Sequence, residues 1–127
     1  MAVSARTEVV IHRAGGEDRG LLNQGMDAIT LPEMLRVNRI TTNSLLYRSA
    51  LHDEIGYIDE TLAVLEDWDF YLRLLVRHPI DLLPLPALAE WHHRPTATGD
   101  AGNSVYELDG DHEAAGAGVR GRYIREG

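Results

Sequence analysis

The 127-residue chain reads as an α/β fold, a short mixed sheet with flanking helices. Three observations carry that reading. Glu8-Val9-Val10-Ile11-His12 is a compact β-branched run, the signature of a strand. Residues 66–77 place Trp68, Leu72, Leu75 and Val76 at helical spacing, which predicts an amphipathic helix. Further short apolar runs at 40–47, 80–83 and 87–92 read as strands on either side of that helix.

In chain order, the strand at 8–12 is bounded by Arg13-Ala14-Gly15-Gly16, a turn, and residues 15–27 are polar and read as loop. Pro32 suits a first helical turn, and Met34, Leu35 and Val37 line one face of a short helix ending near Asn38. Residues 40–47 (ITTNSLLY) are β-branched and aromatic and read as a strand. Ser49 is placed to N-cap a short helix that Gly56 closes. The helix at 66–77 opens with acids and closes with Arg73, Arg77 and His78, which matches the helix dipole, and Asp69 and Arg73 form an i,i+4 pair. Pro79 ends it. Residues 80–83 and 87–92 read as short strands that Pro84 and Pro86 confine to edge or irregular pairing. Beyond Arg94 the composition turns to Pro, Thr, Gly, Asp and Ala, with a weak, glycine-interrupted helix over 113–124. The reading is one unit over 1–100 and a flexible or partner-dependent tail over 101–127.

Composition narrows the function. With 44% hydrophobic and 25% charged residues the chain is an ordinary globular one, of a length that suits a single domain. Twelve basic residues, all arginine, against twenty acidic ones leave a net charge of −8, which argues against nucleic acid or an anionic membrane as partner. No apolar run approaches a membrane span and no signal core opens the sequence, so a cytoplasmic location is expected. The absence of cysteine excludes thiolate metal sites and cysteine nucleophiles. Chemistry is left to carboxylate, histidine and hydroxyl.

Two clusters stand out. Glu66-Asp67-Trp68-Asp69 puts three carboxylates at a helix N-terminus, where unpaired N–H groups and the dipole favour an ionised base. It reads either as a solvated acidic first turn or as a proton-accepting site, and Trp68 either as core or as a platform for a sugar face. The second is Trp91-His92-His93-Arg94 at a strand end. Neighbouring strand residues point to opposite faces, so at most one of His92 and His93 faces a site. His12, His52, His78 and His112 lack metal-ligand spacing, which leaves a histidine-metal hydrolase a minor reading. Asp67-Trp68-Asp69 and Asp109-Gly110-Asp111 both match Asp-x-Asp, a spacing that common chance also produces. No nucleotide-binding fingerprint and no G-x-S-x-G elbow occur.

An ordered series of motifs resembles the second half of the catalytic domain of family 2 glycosyltransferases, inverting enzymes of the GT-A fold. Asn38-Arg39-Ile40 followed by Thr42-Asn43-Ser44-Leu45-Leu46-Tyr47-Arg48 is similar to the family's strand leading into a basic residue. Glu54-Ile55-Gly56-Tyr57-Ile58-Asp59-Glu60-Thr61-Leu62 is similar to its "evGgfDe.l" segment, and Glu66-Asp67-Trp68-Asp69-Phe70-Tyr71-Leu72-Arg73-Leu74 to its "EDwDlwlRl" helix. Residues 80–84 and 88–94 are similar to the strands that follow. The resemblance implies a partial GT-A, nucleotide-diphospho-sugar transferase-like half-domain. It also implies transfer of a sugar from a nucleotide-sugar to an acceptor hydroxyl with inversion. In that scheme Asp67 is the general base, Glu66 orients the acceptor, Trp68 floors its site, and Asn43 and Arg94 bind substrate. A divalent cation, Mn or Mg, is expected, with His93 or His92 where some members help hold the metal or pyrophosphate. The family's donor-binding half would precede Glu8, where only MAVSART stands. The expectation is therefore an acceptor-side fragment, inactive alone, that forms a homo-oligomer or needs the missing N-terminal half. The alternative is a non-catalytic interaction domain that keeps the half-fold.

Overall fold

The computed structural model describes residues 2–94 and 109–124, with side chains in the last helix described from Gly116 onward. Two three-stranded sheets share one long strand pair. β1 (Ala2–Ser4) and β2 (Thr7–Arg13) follow each other with only Ala5 and Arg6 between them. β5 (Ile80–Leu82) lies parallel to β1, and β6 (Ala89–His93) parallel to β2. β4 (Leu45–Tyr47) completes the first sheet antiparallel to β1, in the order β4-β1-β5. β3 (Gly16–Leu21) pairs antiparallel with β2, giving the second sheet the order β3-β2-β6. The parallel pairs need a long crossover, which here carries α1 (Leu31–Arg36), α2 (Leu51–Ile55) and α3 (Glu66–Arg77). A fourth helix, α4 (Asp109–Ile124), packs onto α1 and α3.

The prolines explain why the long pair breaks into two sheets. Pro84 and Pro86 lack an N–H for the ladder, so residues 83–88 bulge out opposite Ala5 and Arg6. Pairing survives at the margins, where Leu83 N donates to Ser4 O at 2.9 Å and Leu88 N to Arg6 O at 3.1 Å.

Several sequence expectations are corrected. Residues 16–21 form β3 rather than loop, because Ala14-Gly15 closes a tight turn and Arg19 bridges Glu8, Glu17 and Glu90 across the exposed face. The strand expected over 40–47 shortens to Leu45–Tyr47. Residues 41–44 make a turn in which the Ser44 hydroxyl donates to Thr41 O at 2.8 Å and accepts from Thr41 N. Ser49 does not cap α2, whose N-cap is Ala50 with no side-chain bond. Gly56 does close α2. Its φ of +85° is left-handed, and the Arg73 guanidinium lies 3.5 Å from where a Cβ would sit.

α1 starts as expected: Thr30 caps Glu33 N and Pro32 occupies the first turn. α3 spans the expected residues and ends before Pro79. Its buried face is broader than an i,i+4 stripe, because Trp68, Asp69, Phe70, Tyr71, Leu72 and Leu74 are all buried between the core, α1 and α4. Val76, expected in that stripe, is 55% exposed. The core gathers α3's apolar side chains with Met34, Ile40, Leu51, Ile55, Ile80, Leu82 and Val119. Among the described residues no helix is long and apolar enough to cross a membrane.

Candidate functional site

A cleft of about 650 Å³ opens where three segments meet: the stretch after α1, the entry to α3, and β6. Its walls include Asn38, Thr41 and Asn43 from the first, Leu65, Glu66 and Asp67 from the second, and Glu90 and Trp91 from the third.

The first wall is fixed from behind by buried polar bonds. Asn23 is fully buried. Its Oδ1 accepts from Thr7 N at 2.9 Å and its Nδ2 donates to Arg39 O at 2.6 Å, tying the start of β2 to residues 38–41. Arg39 donates to Leu22 O at 2.9 Å. Asn38 Oδ1 accepts from Ile40 N at 3.1 Å. At the rim Asn43 Oδ1 accepts from the Thr41 hydroxyl at 2.7 Å, which orients its amide.

The second wall begins with an unusual backbone. Leu65, the N-cap of α3, has φ 63°, ψ 19°, the left-handed region that leucine disfavours, and supplies no side-chain cap. The turn it makes delivers Glu66 and Asp67, both half-buried, into the cleft at the helix N-terminus. Asp67 Oδ1 accepts from Trp68 N at 2.8 Å. Burial, with the negative charge of Asp67 adding to it, pushes the Tyr71 hydroxyl far above its ordinary range. That phenol stays protonated.

The third wall is β6. Glu90 is held by His92 at 2.8 Å and by Arg19 at 3.2 Å, and these partners hold its carboxyl below the usual carboxylate range. Trp91 lies against His93, ring centroids 3.9 Å apart, while His92 turns the other way to bond His12 at 2.8 Å. The alternation expected for His92 and His93 is thus observed.

The structure brings Glu66, Asp67 and Asn43 together in the cleft. Trp68 does not join them. It is 3% exposed, its indole N–H donates to Met34 O at 2.7 Å, and the Arg120 guanidinium lies 5.0 Å from its ring, so it is core at a helical core position. The aromatic surface in the cleft is Trp91, which sequence reasoning passed over in favour of the adjacent histidines; strand alternation from His93 was the signal that placed it. Arg94 is exposed just past β6, outside the cleft. His93 is half-buried, and burial lowers its pKa below the ordinary value. Among the described residues no group of three or more His, Asp or Glu side chains is arranged to hold a metal ion. Asp109 and Asp111 fall where side chains lie outside the described set.

No family model and no solved structure matches the chain. A stretch of 39 residues, 31% of the chain, is 46% identical to part of a Bacillus subtilis (strain 168) protein named uncharacterized glycosyltransferase YwdF. The matched stretch spans 15% of that protein. The chain has a partial resemblance to a glycosyltransferase.

Proposed function

We propose that the chain forms the acceptor side of a family 2, GT-A-type inverting glycosyltransferase. The observation that carries this reading is the cleft in which Glu66 and Asp67, at the N-terminus of α3, share walls with Asn43 and Trp91. The short stretch of identity to a named glycosyltransferase supports it. In this reading Asp67 takes the proton of an acceptor hydroxyl while that oxygen bonds to the anomeric carbon of the donor. The bond from that carbon to the diphosphate breaks, its electron pair leaves with the nucleoside diphosphate, and configuration inverts. Glu66 and Asn43 bond the acceptor's other hydroxyls. Trp91 replaces Trp68 as the apolar face against the sugar ring. Arg94 as a substrate contact, and His93 with a divalent cation, rest on the resemblance alone.

One observation favours the second reading, a non-catalytic interaction domain. Among the described residues that line the cleft none is basic, so a diphosphate finds no cation there. Calorimetric titration separates the two, using neutral saccharides and UDP-, GDP- and dTDP-sugars with manganese. Saccharide binding weakened about tenfold or more by Asp67→Asn, a loss of about 1.4 kcal/mol, is the expected outcome. Binding indifferent to Asp67→Asn sinks the catalytic reading. A homo-oligomer belongs to the same proposal, because β4 is a sheet edge with Leu46 72% exposed. A clean monomer in sedimentation at high concentration would remove that part.

A further inference from the structure

The geometry points to α4 as a brace that sets two of the cleft's three walls, the end of α1 and the start of α3, so that undocking this C-terminal helix disassembles the site. Its meaning for function rests on the acceptor-site reading above, but the coupling itself is a property of the fold.

The brace reaches the α3 wall through Asp69, which is 0% exposed. Its Oδ2 accepts from Arg73 at 2.7 Å, within α3. Its Oδ1 accepts from Arg122 Nη1 at 3.0 Å, and the Tyr123 hydroxyl lies 2.8 Å from the same oxygen and 2.9 Å from the Asp69 carbonyl oxygen. Two of the three side chains that satisfy this buried carboxylate therefore come from α4. Without them Asp69 is a buried charge with one partner, and the first turn of α3 loses its reason to stay where it is. About two turns further back, Gly116 passes against Leu65, whose Cδ1 is 3.7 Å from the position of a Cβ on that glycine. Leu65 is the left-handed residue that aims Glu66 and Asp67, and a strained conformation persists only while its surroundings enforce it.

The same helix holds the opposite wall. Arg120 Nε donates to Leu35 O at 2.9 Å and Nη2 to Arg36 O at 3.2 Å, satisfying carbonyls at the end of α1 just before Val37 and Asn38 enter the cleft. Its guanidinium also covers Trp68, and Val119 beside it is buried in the core. Thus α4 grips the end of one wall and the start of the other from behind. None of its described residues lines the cleft.

Amide hydrogen exchange on the full chain tests this without any ligand. The variants are Tyr123→Phe and the double change Arg122→Ala with Tyr123→Phe, with Ile124→Ala, an exposed neighbour, as control. The expected result is faster exchange in α4 accompanied by at least about tenfold faster exchange in 62–68 and 37–43, with β2 and β6 unchanged, since local opening is confined to the coupled segment. Faster exchange in α4 alone would overturn the proposal, and so would no change anywhere. If the double variant unfolds globally, the single Tyr123→Phe change carries the comparison. A wild-type chain that binds no saccharide sinks the acceptor-site reading yet leaves this coupling intact.

Discussion

Leu65 shows how one residue's backbone sets the chemistry of its neighbours. A leucine at φ 63° carries a cost that a glycine would not. It is kept because the same side chain is partly buried against the core while the turn aims Glu66 and Asp67. Leu65→Ala and Leu65→Gly lose the apolar contact alike, but only the alanine keeps the strain. Relief of roughly 1–2 kcal/mol exceeds glycine's extra entropic cost of about 0.5–1 kcal/mol, so the glycine variant is expected to be the more stable by about 0.5–1 kcal/mol. Urea denaturation checks this; an alanine variant at least as stable would mean the left-handed turn is absent. None of this was legible in the sequence, where Leu65 reads as one more apolar residue. Asp69 and Arg73 were legible as an i,i+4 pair, yet the burial of that pair depends on residues more than fifty positions away. Trp68 misled for the opposite reason: sequence supplies the helical face, but which neighbour covers it is a tertiary fact.

At the scale of elements, the helix spanning 66–77 was legible because acids, apolar period and Pro79 agree on one answer. β3 was not, because its residues are exposed and polar and it forms only as the partner of β2. The helix at 113–124 was visible only as a weak pattern, since its glycines hide a docking carried by Arg120, Arg122 and Tyr123. That docking makes a titration prediction. Burial, reinforced by the Asp69 carboxylate, pushes the Tyr123 hydroxyl from its ordinary 10.0 up to about 12. The unfolded chain then releases this proton near pH 10 while the folded chain holds it, so the folded state binds more protons between these values. The contribution of Tyr123 to stability is complete below pH 10 and is lost as pH rises toward 12. Ultraviolet titration should show a tyrosinate component near pH 12 that Tyr123→Phe removes, and the variant's stability should fall less steeply over that window. A component that instead appears near pH 10 would place Tyr123 in solvent and α4 off α3.

The whole molecule divides unevenly. The first sheet sends Ala2, Ile80 and Leu82 into the main core, whereas the second sheet's buried Val10 and Ala89 lie outside that cluster. The first five residues of β3 are exposed, and its outer face is held by Arg19 with Glu8, Glu17 and Glu90. Exposed ion pairs of this kind are worth about 0–1 kcal/mol each, far less than an apolar core. Apart from the buried polar ties at Asn23 and Thr7, the first and second sheets are joined along the long strand pair by only two residues, Ala5 and Arg6, and a few backbone bonds where the prolines interrupt it. One tryptophan reports on each half, Trp68 in the core beneath α1 and Trp91 in β6. Fluorine NMR of chain labelled with fluorotryptophan reads both indoles in one sample. During urea titration the Trp91 resonance is expected to reach its unfolded position at lower denaturant than that of Trp68, so the wall carrying Trp91 opens while α3 remains folded. Coincident transitions would mean that Asn23 and Thr7, the buried polar ties between β2 and the 38–41 segment, couple the second sheet to the core as tightly as apolar packing does.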